Sequence, residues 1–242
     1  MDKHFPAAGT EAGQRIYTNT RRVVKQTLRN FLSNGRIDGS RMREHWFPQT
    51  KADVFISHSH GDTADAIKFA GWLKNTFDLD AFVDSCVWGY GDDLLKEIDD
   101  VHCFNHQTGT YSYEKRNGST SHVHMMLSMA LASMLDTTEC IIFLNTPNSI
   151  TPEEAVDKTL SPWLYYELGM TRLIRRRAKE EHRSQELMES FAKRAELQIA
   201  YPAELVGLTA ISAAHLTDWS KEWSQTSRKH YPLDILYEIT PE

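Results

Sequence analysis

Apolar residues along the chain fall into two alternating kinds of run. Short continuous runs of strand length, ADVFIS (52–57), LDAFVD (79–84) and ECIIFLN (139–145), are separated by longer stretches whose apolar positions recur every three or four residues. DTADAIKFAGWLKNTF sets Ile67, Ala70, Trp72, Leu73 and Phe77 at helical spacing, with Asp62 or Thr63 as its cap. VHMMLSMALASMLD and SPWLYYELGMTRLIRRRAKEEH predict two more helices, the second with Ser161 as N-cap and Pro162 at the first helical position. Strand and helix in alternation predict an α/β protein with a parallel sheet, helices on both faces, and ligands at the strands' C-terminal ends.

The flanks are plainer. QRIYTNTRRVVKQTLRNFLS (14–33) gathers Ile16, Val23, Val24, Leu28, Phe31 and Leu32 on one face, which predicts an N-terminal helix that NGRIDGS ends, followed by a linker. The expected division is therefore a helical extension and linker over 1–50 and the main domain over 51–242. CVWGYGDD predicts a Gly-punctuated loop after the second strand, leading into the short helix DLLKEI. Residues 100–122 break the periodicity with polar and turn-forming residues and are expected to be an insertion, a hairpin in form. In the C-terminal extension, from about residue 206, AHLTDWSKEW fits a strand or a helix and YPLDILYEI a closing helix; just before it ELQIAY fits a fourth strand.

Composition narrows the function classes. The 242 residues are 40% hydrophobic and 25% charged, with a net charge of -6 and a pI near 6.0, so nothing draws the chain globally to nucleic acid or to an anionic membrane. MDKHFPAAGTEAGQ lacks the apolar core of a signal peptide, and no stretch approaches the length of a membrane span, so a cytoplasmic location is expected. Cys86, Cys103 and Cys140 are scattered and odd in number, which predicts free thiols. Met125, Met126, Met129 and Met134 read as core filling, and RLIRRRAKEEHR as a solvated helix face.

The first strand runs into His58, Ser59, His60, Gly61 and Asp62. This stretch resembles the His-x-His-x-Asp-His signature of the metallo-β-lactamase fold, which would make His58, His60 and Asp62 metal ligands of a hydrolase. Thr63 stands in place of the last histidine, and no stack of strands precedes residue 52. The group His102, Cys103, His106, His122 and His124 matches no zinc-finger spacing. No metal is expected at either place.

Three further stretches resemble the boxes of the TIR (Toll/interleukin-1 receptor) domain, in particular the bacterial TIR proteins of Thoeris-type antiphage defence. They are Asp53–Ser57, then AFVDSCVWGYGDDLLKEI in place of the strand and BB loop, and SPWLYYE with Ser161, Trp163 and Glu167 in place of Ser-x-Trp-x-x-x-Glu. The resemblance covers about residues 50–205. It implies a flavodoxin-like sheet and cleavage of NAD⁺ as substrate, with no further cofactor, by the catalytic carboxylate Glu167. It also implies self-association into a dimer or filament and a downstream effector that senses the nucleotide product.

The chemistry fits one carboxylate. Nicotinamide leaves a cationic pyridinium as a neutral amine and needs no proton, whereas the ribose develops positive charge that a nearby anion stabilises. Trp163 lies one helical turn before Glu167, on the same face, where an indole could cover nicotinamide or ribose. Ser161 could reach a ribose hydroxyl, Ser57 and His58 would face the cleft, and Asp84, Trp88, Gly89 and Gly91 would form the loop over it. His58 would hydrogen-bond a diphosphate or carry a proton. The plainer alternatives are Trp163 as core and Glu167 as a surface carboxylate paired with Arg172 or Lys68; a non-enzymatic TIR adaptor is the alternative function.

Overall fold

Val54, Phe55 and Ile56 give a strand no polar side, and such a run is stable only where both faces of its sheet are covered. The computed structural model describes residues 7–21, 32–33, 36–47, 49, 51–149, 158–159, 161–174, 177, 182, 201–202, 208–226 and 231–240, with only the backbone of 7–10, 19–21, 32–33, 36–37, 86–90, 158–159 and 201–202. In it Val54–Ser57 (β1) is the central strand of a three-stranded parallel sheet. Ala81–Val83 (β2) pairs on one side with Val54 opposite Ala81, and Cys140–Phe143 (β3) on the other with Val54 opposite Cys140. In the order β2-β1-β3 the chain crosses over β1 between its second and third strands. That is where an open parallel sheet leaves a crevice at its C-terminal edge.

Among the described residues the α-helices are Ala7–Arg21 (α1), Gly39–Trp46 (α2), Thr63–Phe77 (α3), Ser85–His102 (α4), Tyr113–Thr137 (α5), Pro162–Leu173 (α6), Ala213–Gln225 (α7) and Pro232–Ile239 (α8). Strand periodicity sorts them into two layers. Phe55 and Phe82 face a core built from α2, α4 and α5, with Met42, Trp46, Leu94, Val123, Leu127 and Leu131 buried in it. Val54, Ile56, Ala81 and Val83 face the opposite core, formed with Phe69, Leu73 and Phe77 of α3, Trp219 of α7, and Leu233 and Leu236 of α8. The expected architecture, a parallel sheet with helices on both faces, is present.

α1 packs along α3, outside the second core. Their crossing is so close that a Cβ built on Gly13 would lie 1.9 Å from the carbonyl oxygen of Ile67. Backbone cannot yield as a flexible side chain does, so Gly13→Ala forces the helices apart. We expect the variant to lose about 1–3 kcal/mol of stability, read as a lower urea midpoint, whereas an alanine at the open Gly118 is expected to raise it.

Four local readings are corrected. The linker expected after the first helix contains α2, capped by Asp38, whose carboxylate accepts from the backbone N–H groups of Ser40 and Arg41 at 3.1 Å. α2 exists because Met42 and Trp46, one turn apart, reach the core, with Phe47 just behind them. The glycine-punctuated loop expected after β2 is instead the first half of α4, continuous from Ser85. Gly91 is a packing position there: a Cβ on it would stand 3.3 Å from Leu127 of α5, so glycine lets the two helices approach.

The hairpin expected within 100–122 is present but smaller, pairing Phe104–Asn105 with Thr110–Tyr111. Ser112 then caps α5, whose start at Tyr113 lies ten residues before the apolar pattern begins. Those added turns are fixed by Asp99, which accepts from Ser119 Oγ at 2.5 Å and Arg116 Nε at 2.9 Å. Finally, Asp62 occupies the N-cap position of α3 but makes no capping bond, for a reason given below.

AHLTDWSKEW is helical, as α7, with Ser212 and His215 in a reciprocal capping box, and YPLDILYEI closes the chain as α8. Most of ELQIAY lies outside the described residues; Tyr201 pairs with Thr159 in a two-residue antiparallel ladder. Residues 22–31, the second half of the expected N-terminal helix, also lie outside. Cys103 and Cys140 are free and buried, and burial pushes the Cys140 thiol up to about 12. Among the described residues no helix is long and apolar enough to cross a membrane.

Candidate functional site

Alternation along β1 decides which layer each polar residue at its end enters. Ser57 follows Phe55 toward the α6 side, and His58 follows Ile56 toward α3. Glu167 lies in the middle of α6, which Ser161 caps by accepting from Leu164 N at 3.3 Å. With Pro162 in the first turn, that cap sets the register which turns Glu167 inward. Ser57 Oγ donates to Glu167 Oε2 at 2.5 Å, and neither residue has any surface in contact with solvent.

Asp84, the residue after β2, completes the group. Its carboxyl lies against that of Glu167, and two carboxyls buried side by side do not both ionise, so one of the two keeps its proton. Asp84 Oδ1 also stands 2.6 Å from His58 Nδ1, and Asp84 Oδ2 accepts from the His58 backbone N–H at 3.4 Å. His58 and Asp84 are both fully buried. Burial first, then the charge of Asp84, raises Glu167 well above the ordinary carboxylate range; burial likewise raises Asp84 and lowers His58. The three groups therefore favour neutral forms in the closed protein.

A second polar group joins the loops flanking the crevice. Asp62 accepts from Ser59 Oγ at 2.6 Å, Thr146 Oγ1 at 2.5 Å and Asn148 Nδ2 at 2.8 Å. Its carboxylate ties the turn after β1 to the turn after β3, which explains why it does not cap α3. Burial pushes this carboxyl up, but the three hydrogen bonds and the nearby His58 outweigh it and hold Asp62 below its ordinary value. A depressed carboxyl adds stability above its unfolded pKa and loses it as pH falls through the folded one. Asp62→Ala is expected to cost about 1–3 kcal/mol by stranding three donors; thermal melts should show the gap to wild type closing in acid.

The other expected site residues separate. Trp163 is half buried, edge-to-face with His124 of α5 at 5.7 Å and packed on the first core, which is the core reading of that residue. Trp88 and Gly89 lie on α4, but the side chain of Trp88 is outside the described residues. Gly91 faces α5. The surface alternative for Glu167 falls away, since Lys68 pairs with Asp65 at 3.5 Å and Arg172 is exposed.

His58, His60 and Asp62 do not converge as metal ligands: His58 is engaged by Asp84 and Thr63, His60 is exposed, and Asp62 is engaged by three donors. Among the described residues no group of three His, Cys, Asp or Glu side chains could hold a metal. His106 packs on Phe104 and His124 on Trp163, so the second histidine group is dispersed too.

What the residue pattern did not single out is the direct contact of Asp84 with Glu167, or Asp62 as a clamp between loops. The signal available is an acidic residue just beyond each of two buried strands, Asp84 directly after β2 and Asp62 five residues after β1, since parallel strands end at one edge. In comparison with known proteins, the chain matches no family model, no curated protein and no solved structure.

Proposed function

We propose that the chain is a TIR-type NAD⁺-cleaving enzyme, hydrolase or ADP-ribosyl cyclase, acting in the cytoplasm in antiphage signalling. The observation that carries this reading is the placement of Glu167, a carboxyl that meets Ser57 and Asp84 at the C-terminal ends of two adjacent parallel strands. A ribose brought to this edge would develop its positive charge beside a carboxyl with few other partners. Ser57 would hold that carboxyl in place, with the carboxyl of Asp84 behind it. Water, the adenine of the same molecule or an added nucleophile would then compete for the sugar cation.

The carboxyl is sealed in the closed protein, so the reading includes a movement of α6 or of the first turns of α4 that admits NAD⁺. We assign that movement to self-association into a dimer or filament, with a nucleotide-sensing effector downstream of the product. The same sealing favours a second reading, a TIR adaptor that acts by assembly alone.

Purified protein incubated with NAD⁺ under crowding separates the two. Release of nicotinamide, with an ADP-ribose-derived product in mass spectrometry, is expected for the enzyme, and assembly without turnover selects the adaptor.

A further inference from the structure

Thr63 defines the state of His58. Its hydroxyl donates to the His60 carbonyl at 2.9 Å, so toward His58 Nε2, 3.3 Å away, the same oxygen only accepts, and Nε2 carries a hydrogen. On the other side of the ring, Nδ1 stands 2.6 Å from Asp84 Oδ1, a separation at which one of the two atoms holds a proton. Asp84 and Glu167, buried against each other and both raised well above the ordinary carboxylate range, keep another. Glu167, Asp84 and Nδ1 of His58 therefore hold two protons among three places, with a net charge of zero in a space closed to water. Ser57 bounds this row at one end and Thr63 at the other.

The remaining titratable groups that face it are Asp62, from the turn after β1, and Tyr166, beside Glu167 on α6. Burial and the charge of Glu167 push the Tyr166 phenol up to about 12, so it stays protonated.

We propose that His58 and Asp84 are positioning residues that ionise Glu167 from within, by taking up its proton when a ligand cation arrives at its carboxyl. The Glu167 O–H bond breaks and an Asp84 O–H bond forms. Where Asp84 already held the second proton, that O–H bond breaks in turn and an Nδ1–H bond forms, leaving His58 as imidazolium. The count stays at two and no proton leaves the protein. Glu167 faces the cation as a carboxylate, while the compensating positive charge rests on His58, behind Asp84. The ligand's role as a sugar cation rests on the function proposed above; the sharing of protons does not.

Ring ¹⁵N resonances of His58 in the full-length chain test this, across about pH 5.5 to 8.5 where a free imidazole titrates. We expect a wild-type ring with Nε2 protonated, Nδ1 at an intermediate shift, and no titration over that range. Glu167→Gln leaves Asp84 as the acid facing the ring and removes the direct pull of the Glu167 charge on His58, which by itself would favour the neutral ring. A shift of Nδ1 toward the imidazolium value is therefore expected only through Asp84, and Asp84→Asn is expected to leave a plain neutral ring. The isosteric Glu167→Gln carries the test should Asp84→Asn fail to fold. An Nδ1 resonance identical in wild type and Glu167→Gln overturns the proposal.

In turnover, His58→Gln is expected to lower kcat about tenfold or more with KM unchanged, at the low end of general acid–base effects. Inactive wild-type protein whose His58 still responds to Glu167→Gln overturns the NAD⁺ reading and upholds the shared protons. Active protein whose His58 ignores that change overturns the relay alone.

Discussion

On the proposed NAD⁺-cleaving function, Glu167→Gln is expected to lower nicotinamide release by about 10²–10³-fold, the scale on which loss of one preorganised electrostatic group is felt. Glutamine keeps the length of the side chain and still accepts from Ser57, so the fold should survive while the negative charge is lost. The same substitution is expected to stabilise the protein at neutral pH.

The sign follows from the raised carboxyl, whose ordinary value is near 4.5. Between that value and its elevated folded value the native state binds more protons than the unfolded one, so stability declines as pH rises through the interval. Removing the group removes the decline. The gain should be on the order of 1–3 kcal/mol, the cost of a poorly satisfied buried polar group, or about 2–4 °C in Tm per kcal/mol. Melts at acidic and neutral pH provide the check: a Glu167→Gln Tm below wild type at neutral pH would contradict the buried, proton-sharing carboxyl. Gain of stability with loss of turnover is the signature of a site that sacrifices stability for function.

Trp219→Ala is expected to be the most damaging substitution for stability. Trp219 has no solvent exposure, stacks on Phe77 with centroids 3.9 Å apart, meets Trp72 edge-on at 5.8 Å and donates from Nε1 to the Pro232 carbonyl at 2.8 Å. It thus joins α7 to α3 by aromatic packing and to α8 by a hydrogen bond. Truncation leaves a cavity costing about 3–5 kcal/mol, or a Tm lower by about 6–20 °C. Trp219→Phe keeps much of the stacking and strands the carbonyl, so it should cost about 1–3 kcal/mol. Calorimetry of the two variants separates packing from hydrogen bonding. A Trp219→Ala protein melting within a degree or two of wild type would show that the C-terminal helices are not part of the core.

The sheet was legible because its strands carry no polar alternation, and α3 and α6 because their apolar spacing and caps agree. α4 was misread across CVWGYGDD because local composition and tertiary packing disagree there. Glycine weakens an isolated helix, but at Gly91 it admits Leu127 of α5, and no residue within the segment signals that neighbour. α2 was missed for the opposite reason: eight residues are too few to stand out, and Met42 and Trp46 matter only once a core exists to receive them. At the site, Glu167 and Ser161 could be placed by helical spacing. The contacts of Asp84 and Asp62 join residues far apart in the chain, 83 positions for Asp84 to Glu167 and 84 for Asp62 to Thr146, and spacing carries no information over that range.

The way the second core is closed bears on how the protein is made. Phe77 and Trp72 are covered by a tryptophan more than 140 positions later, and the hydroxyl of Tyr231 bonds Asp53 across 178 positions at 2.7 Å. During synthesis, one face of the nascent sheet therefore stays uncovered for about 4–15 s after its own strands have emerged, at roughly 5–20 residues per second. Such high contact order implies slow folding. The exposed aromatic surface on α3 is the place where a chaperone, or another unfinished copy, would bind before the last two helices arrive.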